Sequence, residues 1–145
     1  MTFDFLIIAG AFSLLAAALH IGVVIGGPRW YIFFGAGQKM ARMAENGSLR
    51  PAVATFGLAA VLTLWGTYAW SGAGLLPNML FTKLALTVVT AIYLIRGIGG
   101  LIAPFVTNHA SIQQNSRAFW FWSSLICLMI GALHLMGILA AWSTL

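Results

Sequence analysis

Four long apolar stretches dominate this chain, and most of the charged residues lie in the shorter segments between them. A membrane-crossing helix needs about 20 mainly apolar residues. Four stretches reach that length and predict transmembrane helices, over about 5–27, 51–72, 79–100 and 118–142. The pattern therefore predicts an all-α integral membrane protein, a four-transmembrane-helix bundle that forms one domain over residues 1–145.

The segment between the first two spans has a different pattern. In "PRWYIFFGAGQKMARMAENGS", Pro28 suits the first turn of a helix and Asn46-Gly47 suits its end. Apolar residues share one helical face: Trp30, Phe33, Phe34, Met40 and Ala44. The polar residues Gln38, Lys39, Arg42 and Glu45 lie on the other side. This predicts an interfacial amphipathic helix over about 29–45. An amphipathic helix folded onto the bundle fits the same pattern equally well.

Composition supports a lipid environment. Charged residues make up 6% of the chain and hydrophobic residues 61%, whereas a soluble domain has about 25% charged residues. We therefore expect the lipid bilayer to cover most of the surface. The net charge of +5 does not indicate a nucleic-acid partner, because the seven basic residues are spread along the chain without forming a stripe.

The basic residues also predict an orientation. Five lie in the loops after the first and third spans: Arg29, Lys39, Arg42, Arg50 and Arg117. Arg96 adds to that side from inside the third span, and Lys83 is alone on the opposite side. Since Lys and Arg mark the cytoplasmic side, we expect a multi-pass protein of the inner membrane with both termini outside the cytoplasm. The first span begins without a basic n-region, which favours a retained helix over a signal peptide.

Two histidines occur in similar apolar settings, His20 in "AALHIGVV" and His134 in "GALHLMG". Each belongs to a stripe of small or polar residues on one helix face. The stripes are Gly10, Ser13, Ala17, His20 and Gly27, and Ser124, Cys127, Gly131, His134 and Ala141. Small residues let helices approach closely in lipid, so the favoured interpretation is two packing seams. An ionisable residue inside the membrane is also a candidate site.

The helical rise separates the two histidines by roughly 15 Å in depth. They therefore cannot share one metal ion or one haem within a protomer, since a metal–imidazole bond is only about 2 Å long. The candidate ligand-binding layer comprises His20, Arg96 and Tyr93. A secondary polar layer comprises His134, Lys83, Thr87 and Thr90. A phosphate, carboxylate or quinone oxygen would fit beside Arg96. Snorkelling of the charge to the headgroups is the alternative for Arg96 and for Lys83.

The sequence lacks the residues that several catalytic and transport mechanisms require. No Asp or Glu lies within a span, and the chain contains no HExxH, P-loop or nucleophile elbow. Cys127 is the single cysteine, which excludes an intrachain disulfide. We therefore expect a non-catalytic protein with no catalytic residues, no metal and no cofactor.

Three functions remain open at this point. The favoured one is a small inner-membrane protein that binds an anionic lipid or a quinone-like ligand, or that serves as an accessory subunit of a membrane complex. The first alternative is an oligomeric transporter or channel for an anion or a neutral solute. The second is a haem-binding electron carrier, in which two His20 side chains of a homodimer hold one iron. A four-span layout by itself does not transfer a function.

Overall fold

The computed structural model describes residues 4–145 as an all-helical bundle. Its helices are α1 (Asp4–Gly26), α2 (Pro28–Phe33), α3 (Gly37–Glu45), α4 (Arg50–Gly72), α5 (Thr82–Val106), α6 (Ala110–Gln113) and α7 (Arg117–Ala141). Helices α1, α4, α5 and α7 are each long and apolar enough to cross a membrane. The four predicted spans are therefore present as helices, three of them within one residue of the expected bounds.

The third span lies later in the chain than the expected 79–100. Before α5 begins, the Ser71 hydroxyl donates to the Pro77 carbonyl at 2.8 Å and accepts from the Met79 N–H at 3.0 Å. These two bonds hold the segment as a loop, and the helix starts only after Phe81, whose φ is 58°. At its far end α5 continues through the "GIGG" stretch and ends two residues after Pro104.

The segment expected to form one helix over about 29–45 forms two helices, α2 and α3. The break lies at Gly35, whose φ of +82° suits glycine. A side chain at Gly35 would also collide with the Phe119 ring. Both helices pack on the bundle, because Tyr31 and Ala41 are buried against Val23 of α1. This arrangement matches the alternative of an amphipathic segment folded onto the bundle. Its location in a membrane interface stays a prediction.

The long helices pack mainly as two pairs, α1 with α4 and α5 with α7, and α1 also contacts α7. Glycines set the approach of the first pair, since a Cβ built on Gly10 would lie 3.0 Å from the Gly66 carbonyl oxygen. Beside this crossing, the Trp70 indole N–H donates to the Ile7 carbonyl at 3.1 Å. The small-residue stripes of α1 and α7 supply much of the buried interior, as expected where close backbone approach drives packing.

The two ends of the bundle differ in charge. At one end α1 and α5 finish while α4 and α7 begin, and we call this the basic end. It carries five basic residues, Arg29 in α2, Lys39 and Arg42 in α3, and Arg50 and Arg117 at the first positions of α4 and α7. The α2–α3 linker also meets the start of α7 here, because Asn115 Nδ2 donates to the Gly35 carbonyl at 3.0 Å. Lys83 lies at the opposite end.

Candidate functional site

His134 lies in a closed polar layer at the centre of the bundle. It is 0% exposed and stacks on Tyr93, with ring centroids 5.5 Å apart and planes 28° from parallel. The Tyr93 hydroxyl is 3.0 Å from the Ser13 hydroxyl, which joins α5 to α1. Trp65 of α4 meets the Tyr93 ring edge-on at 5.2 Å. Tyr93 therefore connects all four long helices in one layer.

The imidazole of His134 is satisfied on one side only. Its Nδ1 lies 3.0 Å from the Ile130 carbonyl oxygen, an atom that can only accept, so Nδ1 carries the proton. In the neutral ring Nε2 is then a bare lone pair, and this buried atom has no hydrogen-bond partner among the described residues. The closed packing makes His134 a seam residue without an open ligand space.

His20 has the same local bond in a different setting. Its Nδ1 lies 2.7 Å from the Ala16 carbonyl oxygen, so in the neutral ring Nε2 is again the nitrogen without a proton. His20 is only partly buried and lines a cavity of about 260 Å³ between α1, the α2–α3 segment and α4. We call this space the His20 cavity. Its other lining residues are Val23, Tyr31, Phe34, Gly35, Ala36, Met40, Ala54, Thr55 and Leu58.

Arg96 lies apart from His20 and is held against α7. Its two terminal nitrogens donate to the Ser124 and Ser123 hydroxyls, at 3.5 and 3.4 Å. The guanidinium carbon is 4.9 Å from the centre of the Trp120 ring. Gly100 provides the space, because a Cβ there would collide with the guanidinium and the Ser124 hydroxyl. All of these neighbours are uncharged.

Beside Arg96, a groove of about 470 Å³ runs between α5 and α7 at the basic end. We call it the α5–α7 groove, and it is lined by Gly100, Leu101, Pro104, Phe105, Arg117, Ala118, Trp120, Phe121 and Trp122. Arg117 stands over the Phe105 ring at 5.2 Å. Arg117 thus lines an apolar surface on which Phe105 is 70% and Trp122 61% exposed. Arg96 does not line it but contacts two lining residues, Gly100 and Trp120.

The expected secondary layer does not assemble around His134. Lys83 is at the end of the bundle, with Nζ 4.3 Å from the centre of the Trp142 ring. Trp142, the residue that Lys83 contacts, follows His134 by eight positions, which is about 12 Å along the helix. The Thr87 and Thr90 hydroxyls donate to carbonyls of their own helix, Lys83 and Leu86, both at 2.8 Å. The hydrogen bonds that these two threonines donate therefore stay within α5.

The structure therefore regroups the candidate residues. Tyr93, expected beside His20 and Arg96, lies with His134 and Ser13. His20 and Arg96 occupy separate places, the His20 cavity and the edge of the α5–α7 groove. Sequence reasoning missed Tyr31 and Thr55 in the cavity and Ser123 beside Arg96. Helical spacing gave no signal for Tyr31, because the break at Gly35 sets the direction of its helix.

Comparison with known proteins gives no relative from which a role could be transferred. No family model, no curated protein and no solved structure matches the chain. The function must be argued from the geometry of the chain itself.

Proposed function

We propose that this chain is a non-catalytic, multi-pass protein of the inner membrane that binds an anionic lipid at the α5–α7 groove. One observation carries the proposal: within residues 4–145, the hydrogen-bond and ring partners of the Arg96 guanidinium, set well inside α5, are two serine hydroxyls and an indole ring. Its charge lies beside an apolar groove that suits the chains of a lipid.

The charge of Arg96 needs a partner. A guanidinium has five N–H donors, and two of them make hydrogen bonds of 3.4 and 3.5 Å to neutral serine hydroxyls. The two acidic residues of the chain are Asp4 and Glu45, at the start of α1 and the end of α3. Arg96 is half-buried, and removing a charge from water is costly unless the charge is paired. A phosphate ester supplies the missing charge and matches the donor geometry of arginine.

The α5–α7 groove offers a second cation for the headgroup of a lipid and apolar surface for its chains. Arg117 provides a second cation at its edge, and Phe105 and Trp122 present exposed apolar surface along it. Arg96 is ten residues from the end of α5, about 15 Å along the helix. Its side chain points toward Trp120, in the first turn of α7, and therefore toward the basic end. This direction is that of a snorkelling arginine whose head meets a phosphate.

The proposed orientation agrees with this ligand. Positive loops mark the cytoplasmic side, so the basic end would lie in the cytoplasmic leaflet and both termini outside the cytoplasm. That leaflet holds anionic lipids, and each basic residue near it gains about 1 kcal/mol. The same surface would suit a chain that joins a homo-oligomer or a larger complex through bound lipid.

The test is lipid selection in nanodiscs. The full chain is reconstituted with equal amounts of phosphatidylglycerol and phosphatidylcholine, released gently, and weighed with its retained lipids by native mass spectrometry. We expect phosphatidylglycerol to be enriched. Arg96→Ala should reduce this enrichment by about tenfold, as expected for loss of a hydrogen bond to a charged group. Arg117→Ala should reduce it less.

Lys83→Ala is the matched control, because Lys83 lies at the other end of the bundle over Trp142. It removes the same charge and should leave the lipid ratio unchanged. Equal losses in Arg96→Ala and Lys83→Ala would mean that net charge alone selects the lipid. No enrichment in the unmodified chain would contradict the proposal.

A further inference from the structure

Three residues that line the His20 cavity each have a polar side-chain atom without a hydrogen bond. Within residues 4–145, the Tyr31 hydroxyl, the Thr55 hydroxyl and His20 Nε2 have no partner. Tyr31 is 2% exposed and Thr55 is 8% exposed. Among the described residues the one fully buried side-chain polar atom without a partner is His134 Nε2, so the two hydroxyls and His20 Nε2 keep accessible surface. Three unpaired groups around one cavity point to a ligand that pairs them.

Thr55 differs from other threonines of the long helices. Thr63, Thr87 and Thr90 each donate to the carbonyl four residues earlier, at 2.9, 2.8 and 2.8 Å. Such back-bonding is the usual way in which a helix satisfies a threonine. Thr55 is more buried than Thr63 or Thr87 and still makes no such bond. Its hydroxyl is therefore free to bind something in the cavity that it lines.

The three groups define what the ligand must offer. In the neutral His20 ring Nε2 is an acceptor, because Nδ1 carries the proton that is donated to the Ala16 carbonyl. The two hydroxyls can donate. No charged side chain lines the cavity, and the described residues contain no group of three or more His, Cys, Asp or Glu that could hold a metal ion. The matching ligand is uncharged and carries both a hydroxyl donor and oxygen acceptors.

Size and access narrow the ligand further. A volume of about 260 Å³ lies just below the range of roughly 300–1,000 Å³ typical of drug-sized ligands, so the cavity suits a single ring. The rest of the lining is apolar and includes Val23, Met40 and Leu58. Phe34 and Leu58 are exposed, at 37% and 45%, and mark a rim on the outer surface of the bundle. In a membrane this rim would admit a ligand dissolved in lipid.

We propose that the His20 cavity binds the ring of a quinol-type lipid. One ring hydroxyl donates to His20 Nε2, and ring oxygens accept from the Tyr31 and Thr55 hydroxyls. This site shares no lining residue with the α5–α7 groove, so the proposal stands or falls separately from lipid binding by Arg96.

The probe is 2,3-dimethoxy-5-methyl-1,4-benzoquinol, kept reduced and titrated into the full chain in nanodiscs by calorimetry. We expect saturable binding. Tyr31→Phe and Thr55→Val each remove one hydroxyl and should raise Kd by about 3- to 10-fold, as for one neutral hydrogen bond. Thr63→Val is the matched control: it is the same change on the same helix, at a hydroxyl already bonded to the Ala59 carbonyl. It should leave Kd unchanged.

The ¹⁵N chemical shifts of labelled imidazole rings report directly on a hydrogen bond to Nε2. A purely structural role of His20 would leave its shift unchanged when the quinol is added. On addition of the quinol, the Nε2 resonance of His20 should shift while those of His109 and His134 stay in place. The absence of saturable binding would overturn the proposal, and so would an equal Kd in Thr55→Val, Tyr31→Phe and the unmodified chain. A Soret band in protein from haem-replete cells, lost in His20→Gln, would overturn it in favour of haem.

Discussion

His20 and His134 make the same hydrogen bond, from Nδ1 to the carbonyl four residues earlier, and differ in everything around it. His134 is sealed between helices and stacked on Tyr93. His20 borders a cavity that reaches the outer surface. A repeated residue in a repeated apolar setting therefore serves packing at one level of the bundle and leaves a nitrogen accessible at another. Access to Nε2, and not the local sequence, separates the two.

The largest difference in unfolding free energy should appear when the imidazole rings of His134 and His20 are each removed. His134→Ala should lower the free energy of unfolding by about 2–4 kcal/mol, because it empties a closed layer. His20→Ala should cost about 1 kcal/mol or less, since the ring already faces open space. Reversible unfolding of the detergent-solubilised protein measures both. Equal losses of unfolding free energy in the two variants would contradict the distinction between a closed layer at His134 and an open cavity at His20.

A smaller difference in unfolding free energy should appear between two glycine-to-alanine variants, one beside His134 and one near His20. A Cβ on Gly131 would lie 2.9 Å from Leu94 and 3.1 Å from the Tyr93 Cβ, so Gly131→Ala must displace the Leu94 side chain and crowds Tyr93, whose ring stacks on His134. It should cost about 1–3 kcal/mol through overpacking. A Cβ on Gly22, near His20, meets only Trp30 at 3.5 Å, an ordinary contact. Gly22→Ala should be neutral or stabilise the helix by up to about 1 kcal/mol. The same unfolding assay decides, and a costly Gly22→Ala would contradict the open packing near His20.

The smallest difference in unfolding free energy concerns the hydroxyls of two buried tyrosines, Tyr93 and Tyr31. Tyr93→Phe removes the bond to Ser13 and should destabilise the protein by about 1 kcal/mol. Tyr31→Phe removes a hydroxyl that has no partner in the described chain, so its unfolding free energy should change by only a few tenths of a kcal/mol in the absence of added ligand. A Tyr31→Phe cost as large as that of Tyr93→Phe would mean that an internal partner already holds the Tyr31 hydroxyl.

The sequence predicted the four long helices because length and hydropathy are properties of single segments. It misplaced the start of the third, since the Ser71 side chain holds the loop that contains Asn78. Depth along a helix also follows from residue number, and it placed His20 and Arg96 at one level. Their neighbours depend on how each helix is rotated and on which helix lies next to it. Arg96 faces α7, while His20 faces α4 and the α2–α3 segment.

The same reasoning explains why Tyr31 and Thr55 could not be found in advance. Thr55 is one of several threonines in apolar runs, and only its missing back-bond distinguishes it. Tyr31 sits in a row of aromatic residues whose direction depends on the turn at Gly35. Whether a threonine hydroxyl bonds to a backbone carbonyl, and whether a tyrosine turns inward, depends on the three-dimensional structure. The spacing of residues along the sequence does not show either.

The linker at Gly35 has a consequence for the order of assembly. Gly35 lines the His20 cavity, and it rests on the Phe119 ring and on the Asn115 amide, both of which belong to the second half of the chain. Membrane helices insert first and pack afterwards. The α1–α4 pair can form as soon as the first half is inserted, and α2 and α3 already pack on it through Tyr31 and Ala41. The contacts of Gly35 with Phe119 and Asn115 form only when the second half packs, so the final shape of this cavity wall depends on both halves of the bundle.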